Sequence, residues 1–409
     1  MSIGSGTVGL RTVREANLGV VLRTVRESAP CSRAAVAAAT GLNKTTVSSL
    51  VADLMARGLI RETGETAQNG VGRPGVLLAL DDSSVAALGL EVNVDYLSVV
   101  AVDLVQRELT SRHMPFDARA AGPDESARHI VAALREVMAD PSVRGRTVVG
   151  AGIAVPGLVD APTGTVRRAP NLGWSDFPLG ARTDVLGFPV RVDNDANLGA
   201  IAEYRVGSFA GTPDLVYVTG EVGIGAGVLT GGSLLRGAGG FAGELGHLTL
   251  GPDGPECSCG RRGCLEASAG IGAILRDAVP DLAPERPLPG ADVAALVDAT
   301  VGRAAAGNGT AVSALERAGT RLGQGLAALV NLVDPGLVLL GGYFVPMGPW
   351  LLPSCRTALA SGVFAPNTGG CRVEPSSLGL SAAARGGAAG VIHALDSGAL
   401  PLPEAVDAG

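Results

Sequence analysis

Gly243-Glu-Leu-Gly-His247, followed after nine residues by Cys257-Ser-Cys259-Gly-Arg-Arg-Gly-Cys264-Leu-Glu266, is the most informative stretch of this 409-residue chain. Three thiolates and one imidazole complete a tetrahedral zinc shell, and a shell of four protein ligands is structural because it leaves no position for water. We therefore expect a structural Zn²⁺ bound by His247, Cys257, Cys259 and Cys264. The alternative is three incidental thiols beside a histidine.

The local spacing also favours a metal over a disulfide. Gly260 and Gly263 permit the tight chain reversal that returns Cys264 to the other two thiols. A disulfide between Cys257 and Cys259 would close a very short ring, and the sequence shows no export signal that would lead to an oxidising compartment.

Charge is distributed unevenly along the chain, whose formal net charge is −7. Residues 1–80 carry nine Lys/Arg and five Asp/Glu, a balance of about +4, whereas the remaining 23 basic and 34 acidic residues give about −11. This asymmetry indicates a nucleic-acid-binding head on an acidic body. No apolar run reaches the length of a membrane span or a secretory segment, so we expect a cytoplasmic protein without a membrane partner.

The first 80 residues are expected to form a winged helix-turn-helix domain. Helices are predicted from about 15 to 28, from Ser32 as the N-cap, and from Lys44 to Arg57, and the link 40–43 supplies the tight turn. A polar stretch before the apolar segment 76–80 is typical of a wing between two strands. A generic small helical domain is the alternative.

The third helix is expected to enter the major groove, because its apolar stripe leaves the polar side chains of its N-terminal half facing outward. Arg73, between a glycine and a proline, is expected to reach a minor groove. Lys44 is the only lysine of the chain. The alternative interpretation is that Lys44 is only a solvated residue at the start of a helix. The residues expected at DNA are Ser32, Arg33, Asn43, Lys44, Thr45, Thr46, Ser48, Ser49 and Arg73.

Beyond residue 81 the pattern changes to strands and helices that occur twice in a similar order. Strands are predicted at 85–92, 96–104, 108–116 and 147–155, and again at 215–220, 225–230, 233–235 and finally 336–340. This order predicts a sensor domain, 81–409, of two similar lobes, about 81–195 with the C-terminal helix and about 196–380. A small molecule is expected in the cleft between them, and the tail after Leu400 is expected to be unordered.

The chain resembles the ROK family, which contains repressors, open reading frames and sugar kinases. The resemblance rests on the Glu-x-Gly-His and Cys-x-Cys-Gly-x-x-Gly-Cys-x-Glu run and extends over nearly the whole chain. It includes Gly72-Arg73-Pro74, Val155-Pro156-Gly157, Ala169–Trp174, Asp193–Asn197 and Leu340-Gly341-Gly342. It implies an α/β fold in which the head precedes a two-lobed, actin-like (ribonuclease H-like) sugar-kinase fold. Because family kinases generally lack such a head, its presence resembles the xylose and N-acetylglucosamine repressor branch.

The resemblance also implies a sugar site. Carboxylates and amides pair with vicinal hydroxyls, and a buried polar site of that kind discriminates strongly between ligands. Asp195 matches the position that serves family kinases as general base, and His247 could face zinc with one ring nitrogen and the sugar with the other. The residues expected at the sugar are Asn171, Asn194, Asp195, Glu244, His247 and Glu266; for any one of them, a turn cap or a surface acid is the alternative.

The first phosphate-binding loop of the family kinases is not preserved. Their Asp-x-Gly-Gly-Thr-Lys type loop reads Gly89-Leu-Glu91-Val-Asn93-Val-Asp95-Tyr96 here, without the glycines that let backbone approach phosphate. The second loop, Gly220–Gly227, is still glycine-rich, although a lone glycine-rich turn is weak evidence. The sequence therefore predicts a non-enzymatic sugar sensor, and an ATP-dependent sugar kinase with an added DNA-binding domain is the alternative.

Taken with the head, these features predict a repressor that a sugar releases from a palindromic operator. A dimer, with a tetramer also open, is expected because one head makes too few contacts for tight specific binding. A response in which sugar strengthens DNA binding is possible from the same parts.

Overall fold

The computed structural model describes residues 5–66, 76–283 and 293–405. Its N-terminal head is a three-helix unit with a small antiparallel sheet in the strand order β1-β3-β2. The head elements are α1 (Ser5–Ser28), β1 (Cys31–Ser32), α2 (Arg33–Thr40), α3 (Lys44–Ala56), β2 (Ile60–Thr66) and β3 (Val76–Leu80). Gly41 ends α2 in the left-handed conformation (φ +71°) that glycine adopts without strain, and this turn sets α3 against α2.

The head therefore has the winged helix-turn-helix architecture expected from its sequence. Leu50, Val51 and Leu54 of α3 are buried together with Leu18 and Leu22 of α1, as the apolar stripe predicted. β2 pairs with β3 in antiparallel fashion, and the residues between them lie outside the described ranges.

The first lobe is built on a five-stranded sheet in the order β11-β7-β4-β5-β6. A small three-stranded sheet, β10-β9-β8, is inserted between β7 and β11. Its elements are β4 (Val85–Val92), β5 (Tyr96–Val102), β6 (Glu108–Pro115), α4 (Ala118–Ala139), β7 (Thr147–Val155), β8 (Leu158–Asp160), β9 (Thr165–Ala169), β10 (Trp174–Phe177), α5 (Leu179–Arg182) and β11 (Val190–Asn194).

The second lobe repeats this plan after α6 (Asp195–Val206), with a sheet in the order β14-β13-β12-β15-β16. In both sheets an antiparallel meander of three strands is continued by two parallel strands. Its elements are β12 (Leu215–Gly220), β13 (Ile224–Thr230), β14 (Ser233–Leu234), α7 (Leu265–Ala269), α8 (Ile271–Ala278), α9 (Val293–Ala305), α10 (Gly309–Val333), β15 (Leu337–Gly342), α11 (Phe344–Gly362) and β16 (Arg372–Pro375). The predicted similarity of the two lobes is thus present in their topology.

The last helix, α12 (Ala382–Asp396), packs between α6 and the first-lobe sheet. Small residues make this approach possible: a Cβ on Gly386 would lie 1.8 Å from the Leu198 carbonyl oxygen, and one on Gly89 would lie 1.8 Å from that of Ala384. Because backbone meets backbone here, α12 and α6 cannot move independently without breaking close packing.

The head and the first lobe share one hydrophobic core. Leu22 and Val25 of α1 belong to the same buried cluster as Val102 of β5 and Leu395 of α12. Arg26 adds an ion pair, with Nε 2.7 Å from Asp396 Oδ2, and its Nη1 donates to the Leu104 carbonyl at 2.6 Å. The head is therefore attached directly to α12.

Three sequence expectations need correction. The strand at 337–342 is not the last, because Arg372–Pro375 adds a parallel edge strand. The inserted sheet of β8 to β10 was not expected, since its strands have only three to five residues. The tail is placed up to residue 405: Leu402 packs on the head core and the Pro403 carbonyl accepts a hydrogen bond from Arg57 at 2.7 Å.

None of the helices in the described ranges combines the length and the apolar composition needed to cross a bilayer.

Candidate functional site: an interlobe pocket beside a metal-ligand cluster

A pocket lies between the lobes where the parallel strands β4, β7 and β11 end at their carboxyl termini, opposite the β12–β13 turn. Ligand sites of open α/β sheets form at such edges because loops diverge there and leave a crevice. All six residues expected at the sugar line this pocket: Asn171, Asn194, Asp195, Glu244, His247 and Glu266. Sequence reasoning did not single out four further polar residues of the lining, Asn93, Thr219, Glu221 and Ser258.

Asp195 is the first residue of α6 and is only 7% exposed. Burial, with the nearby carboxylate of Glu244 contributing, raises the pKa of Asp195 to about 7, although the Ala196 backbone N–H opposes the shift by donating to Oδ1 at 2.9 Å. A buried acid with a pKa in this range accepts or donates a proton near neutrality.

The oxygen and the nitrogen of the Asn194 side-chain amide both make hydrogen bonds within the protein. Its Oδ1 caps α6 by accepting from the Asn197 backbone N–H at 3.1 Å, and its Nδ2 donates to the Gly157 carbonyl at 3.0 Å. Asn194 therefore positions Asp195, and its side chain also hydrogen-bonds the Asp195 carboxyl group, so little of its amide remains for a ligand.

Glu266 joins the pocket to the cysteine loop. Its Oε2 accepts from the Ile224 backbone N–H at 3.1 Å, and its Oε1 lies 3.2 Å from the Ser258 hydroxyl and 3.7 Å from Cys257 Sγ. A Cβ on Gly223 would lie 2.3 Å from Glu266 Oε2. The close approach of Glu266 thus explains the glycine at position 223 of the β12–β13 turn.

The four expected zinc ligands form one cluster, in which the ligand atoms of His247, Cys257, Cys259 and Cys264 all lie within 4.8 Å of one another. His247 Nδ1 is 3.8 Å from Cys257 Sγ, and Cys259 Sγ is 3.8 Å from Cys264 Sγ. A tetrahedral ion with Zn–S bonds of ~2.3 Å separates its thiolates by about 3.8 Å. The residues therefore fit a tetrahedral metal ion.

The loop that carries these ligands depends on its glycines. Gly263 has φ +73°, and a Cβ there would lie 1.7 Å from the Gly251 carbonyl oxygen, so no other residue fits this reversal. Burial raises the pKa of Cys257 to about 12, whereas Arg261, whose Nε donates to Cys259 Sγ at 3.5 Å, outweighs desolvation and lowers the pKa of Cys259 to about 6. A cation bound here would deprotonate all three thiols.

His247 faces the cluster and the pocket with different nitrogens. While Nδ1 points to Cys257, Nε2 lies 4.0 Å from Glu244 Oε2. The imidazole therefore joins the metal-ligand cluster to the pocket wall.

Carboxylates occupy the region of the degenerate first phosphate loop. Glu91 and Glu221 are 1% and 6% exposed, and the Tyr96 hydroxyl bridges them at 3.1 Å to each. Burial, and then the carboxylates of Glu221 and Asp195, raise the pKa of Glu91. Burial, and then the carboxylate of Asp195, raise the pKa of Glu221 to about 8, although its hydrogen bonds with Tyr96 and Glu91 oppose the shift. Asn93 Nδ2 lies 3.2 Å from the Tyr96 hydroxyl. Glu221 was hidden from sequence reasoning by its glycine-rich context.

In the head, the exposed face of α3 presents Lys44, Thr45, Ser48 and Ser49, and Thr46 is half-buried. The two other polar residues expected there act as caps: Ser32 Oγ accepts from the Ala35 N–H at 3.2 Å and Asn43 Oδ1 from the Thr46 N–H at 2.7 Å. Arg33 pairs with Glu62 of β2 at 2.9 Å. Arg73 lies outside the described residues.

Comparison with known proteins identifies the architecture. The model of the ROK family matches residues 87–394. The chain belongs to the ROK family. A model of the IclR helix-turn-helix domain matches residues 17–64 of this ROK protein, so the head is a helix-turn-helix domain.

Individual relatives include both regulators and kinases. A protein named xylose repressor from Bacillus subtilis is 32% identical over 386 residues, covering 94% of this chain and 97% of the relative. Among solved structures, a ROK family transcriptional regulator described as a homologue of the Escherichia coli MLC protein has a TM-score of 0.79 at 26% identity and covers 94% of this chain and 97% of its own. A ROK glucokinase from Streptomyces griseus in complex with glucose and AMPPNP has a TM-score of 0.62 at 29% identity and covers 74% of this chain and 98% of its own.

Proposed function

We propose that this ROK protein is a zinc-containing DNA-binding transcriptional repressor that a sugar or sugar derivative releases from its operator. The observation that carries the proposal is the single hydrophobic core that joins a helix-turn-helix head to the lobe holding a sugar-type pocket. A regulator needs such an attachment because an effector acts only by its different affinity for two arrangements of the whole molecule.

The pocket suits a polyhydroxy ligand. Asp195 and Glu244 offer carboxylate acceptors, and Asn171 and the Nε2 of His247 offer groups that pair with hydroxyls. Its volume of about 80 Å³ is below the ~300 Å³ at which ligand pockets commonly begin. We therefore expect monosaccharide binding to change the separation of the lobes, which would supply the change of shape that a sensor needs. The name of the Bacillus subtilis relative, xylose repressor, makes xylose the first sugar to test.

The same pocket is unsuited to a nucleotide. A phosphate donor needs backbone N–H groups and cations around its phosphates, whereas Glu91 and Glu221 place two carboxyl groups at the degenerate loop. Either one, when ionised, repels a polyphosphate in a region of low dielectric. We infer that the chain has no sugar kinase activity, although Asp195 occupies the position of the kinase base.

Zinc is the ion we assign to the four-ligand cluster, because thiolate-rich tetrahedral sites select it. When bound, it supplies a rigid centre, with His247, Cys257, Cys259 and Cys264 as its shell. His247 then holds its ring toward Glu244, and Arg261 supports the Cys259 thiolate from outside the shell.

The head would read DNA with α3. Lys44, Thr45, Ser48 and Ser49 are exposed on one helix, and a helix of this kind enters the major groove. The side chains of Ser32 and Asn43 cap helices, so we expect them to hold α2 and α3 in position at DNA. Arg33 would contact DNA while it is also paired with Glu62. Arg73 stays a predicted minor-groove contact. We expect a homodimer on a palindromic operator in the cytoplasm, and dimers of dimers are compatible with the same heads.

A packed route links pocket and head. Asp195 begins α6, α6 packs tightly on α12, and α12 binds α1 through Asp396 and Arg26. A change in the separation of the lobes would displace α6 and with it α12, and two heads on one operator would then lose their spacing.

Fluorescence anisotropy on labelled operator, with a panel of pentoses and hexoses, tests the proposal. We expect one sugar to weaken operator binding by at least tenfold, and Asp195→Ala to bind operator normally without responding to it. A coupled ATP assay on the same panel should show no turnover. Sugar-dependent ATP consumption would instead establish a kinase with an added DNA-binding domain.

A further inference from the structure

A second cavity, of about 280 Å³, shares no lining residue with the sugar pocket. Its walls come from β11, α6, the β13–β14 hairpin and the C-terminal half of α12. Gly152 of β7 and Gly387 of α12 bring the two elements into backbone contact, and Gly390, also in the lining, leaves the cavity open. A Cβ on Gly390 would meet no atom within 4 Å, so a side chain added there would enter free space.

The cavity is strongly cationic. Its lining holds Arg191, Arg205 and Arg236 against one acid, Asp193, which gives a formal charge of +2. Asp193 is already neutralised, because Arg236 binds both its oxygens at 2.6 and 3.2 Å. Within the described ranges, Arg191 and Arg205 have no carboxylate partner.

A histidine adds to the cluster. His393 of α12 lies with Nδ1 3.1 Å from Arg205 Nη2. Burial, then Arg205 and, more weakly, Arg23 and Arg191, lower the pKa of His393 and outweigh the opposing effect of Asp396. Three arginines, Arg23 of α1, Arg191 of β11 and Arg205 of α6, thus act on the one imidazole of α12, and an anion bound among them would offset their mutual repulsion.

We propose that this cavity binds small phosphate monoesters, such as a phosphorylated monosaccharide. Guanidinium groups pair with phosphate through two parallel N–H donors, and donors that arrive from separate elements suit a tetrahedral anion better than a planar carboxylate. Hydroxyls of Tyr204, Ser233 and Ser397 line the remainder of the cavity and can pair with the hydroxyl groups of such an ester.

The position of the site makes it a second input to the head. A ligand that contacts Arg205 of α6 and His393 of α12 would hold together the two helices that connect the sugar pocket to Asp396 and Arg26. An effect on operator affinity rests on the function proposed above; the binding of a phosphate ester does not.

Isothermal titration calorimetry of the full chain tests the site with ribose 5-phosphate, inorganic phosphate, neutral ribose and citrate. We expect ribose 5-phosphate and inorganic phosphate to bind, and the affinity for ribose 5-phosphate to fall at least tenfold in the doubly substituted Arg191→Gln/Arg205→Gln protein. Gly390→Gln, which fills the cavity, should have the same effect, whereas Arg144→Gln, at an exposed arginine of the first lobe, should bind as the unsubstituted protein does. Asp195→Ala should retain the binding.

Three outcomes overturn the proposal. Loss of ribose 5-phosphate binding in Asp195→Ala but not in the arginine double variant would place the ester in the sugar pocket. Tighter binding of citrate than of either phosphate compound would assign the site to polycarboxylates. No binding of ribose 5-phosphate to the unsubstituted protein, or an unchanged affinity in the arginine double variant, would remove these arginines from any phosphate site.

Discussion

The contact between Arg26 and Asp396 is where the head should be most sensitive to a single substitution. Asp396 is 5% exposed, and Arg26 holds it through Nε at 2.7 Å and Nη2 at 3.2 Å while donating to the Leu104 carbonyl at 2.6 Å. Arg26→Ala leaves the Asp396 carboxylate and that carbonyl without their donor. Breaking a buried ion pair from one side costs ~3–5 kcal/mol. Because the Arg26 side chain is 22% exposed and water can partly replace it, we expect a loss of about 2–4 kcal/mol in the free energy of unfolding.

A double-mutant cycle with Asp396→Ala measures the interaction itself. Urea unfolding of the four proteins should give a coupling energy of about 1–3 kcal/mol, since both partners act in one network. Arg14→Ala is the matched control: Arg14 pairs with Asp53 at 2.9 Å within the head, but its side chain is 50% exposed, so its loss should cost under about 1 kcal/mol. A coupling energy below about 0.5 kcal/mol between Arg26 and Asp396 would refute the reasoning that this pair fastens the head to α12.

Three further predictions concern the metal cluster, the buried acids and the head. Cys264→Ser should lower the zinc content, measured by inductively coupled plasma mass spectrometry, from one ion per chain to none and abolish the sugar response. Cys355→Ala, at a buried cysteine outside the cluster, should keep its zinc. A sugar response by the metal-free protein would contradict the role given to the ion. The pKa of Glu221 is raised to about 8, so its contribution to stability is present at low pH and is lost as pH rises from about 4.5 to about 8. Glu221→Gln should therefore raise the free energy of unfolding at pH 8 by about 2–4 kcal/mol and flatten its pH dependence. Equal stability of the two proteins at pH 8 would count against a costly buried carboxylate at this position. Lys44→Ala should weaken operator binding about tenfold and reduce the slope of log K against log salt concentration by ~1. Arg144→Gln is the control and should change neither. An unchanged slope would show that Lys44 does not contact the DNA phosphates.

Local chemistry explains how much of this structure the sequence could predict. The strands 85–92, 147–155 and 215–220 were predicted with the bounds that the structure has, because long buried strands are continuous apolar runs. The helix-turn-helix was predictable from its caps and the Gly41 turn. Strands of the small inserted sheet were missed because three to five residues are too few for a period-2 pattern to stand out.

The pocket shows a different limit. A motif identifies Asp195 and His247, but it cannot show that Asn194 is already used as a helix cap, nor that Glu91 and Glu221, far apart in sequence, meet through Tyr96. Such pairs depend on how two lobes approach each other, which periodicity and spacing within one segment do not specify. The cationic cavity was invisible for the same reason, since its arginines come from separate elements.

The most direct test of the whole account is a titration of operator-bound protein with sugar, followed by anisotropy, on the unsubstituted protein and on Asp195→Ala side by side. We expect one sugar, with xylose tested first, to release the operator from the unsubstituted protein while Asp195→Ala stays bound at every sugar concentration. Release of both proteins at the same concentration, or of neither by any aldose, would contradict a sensor built on this pocket.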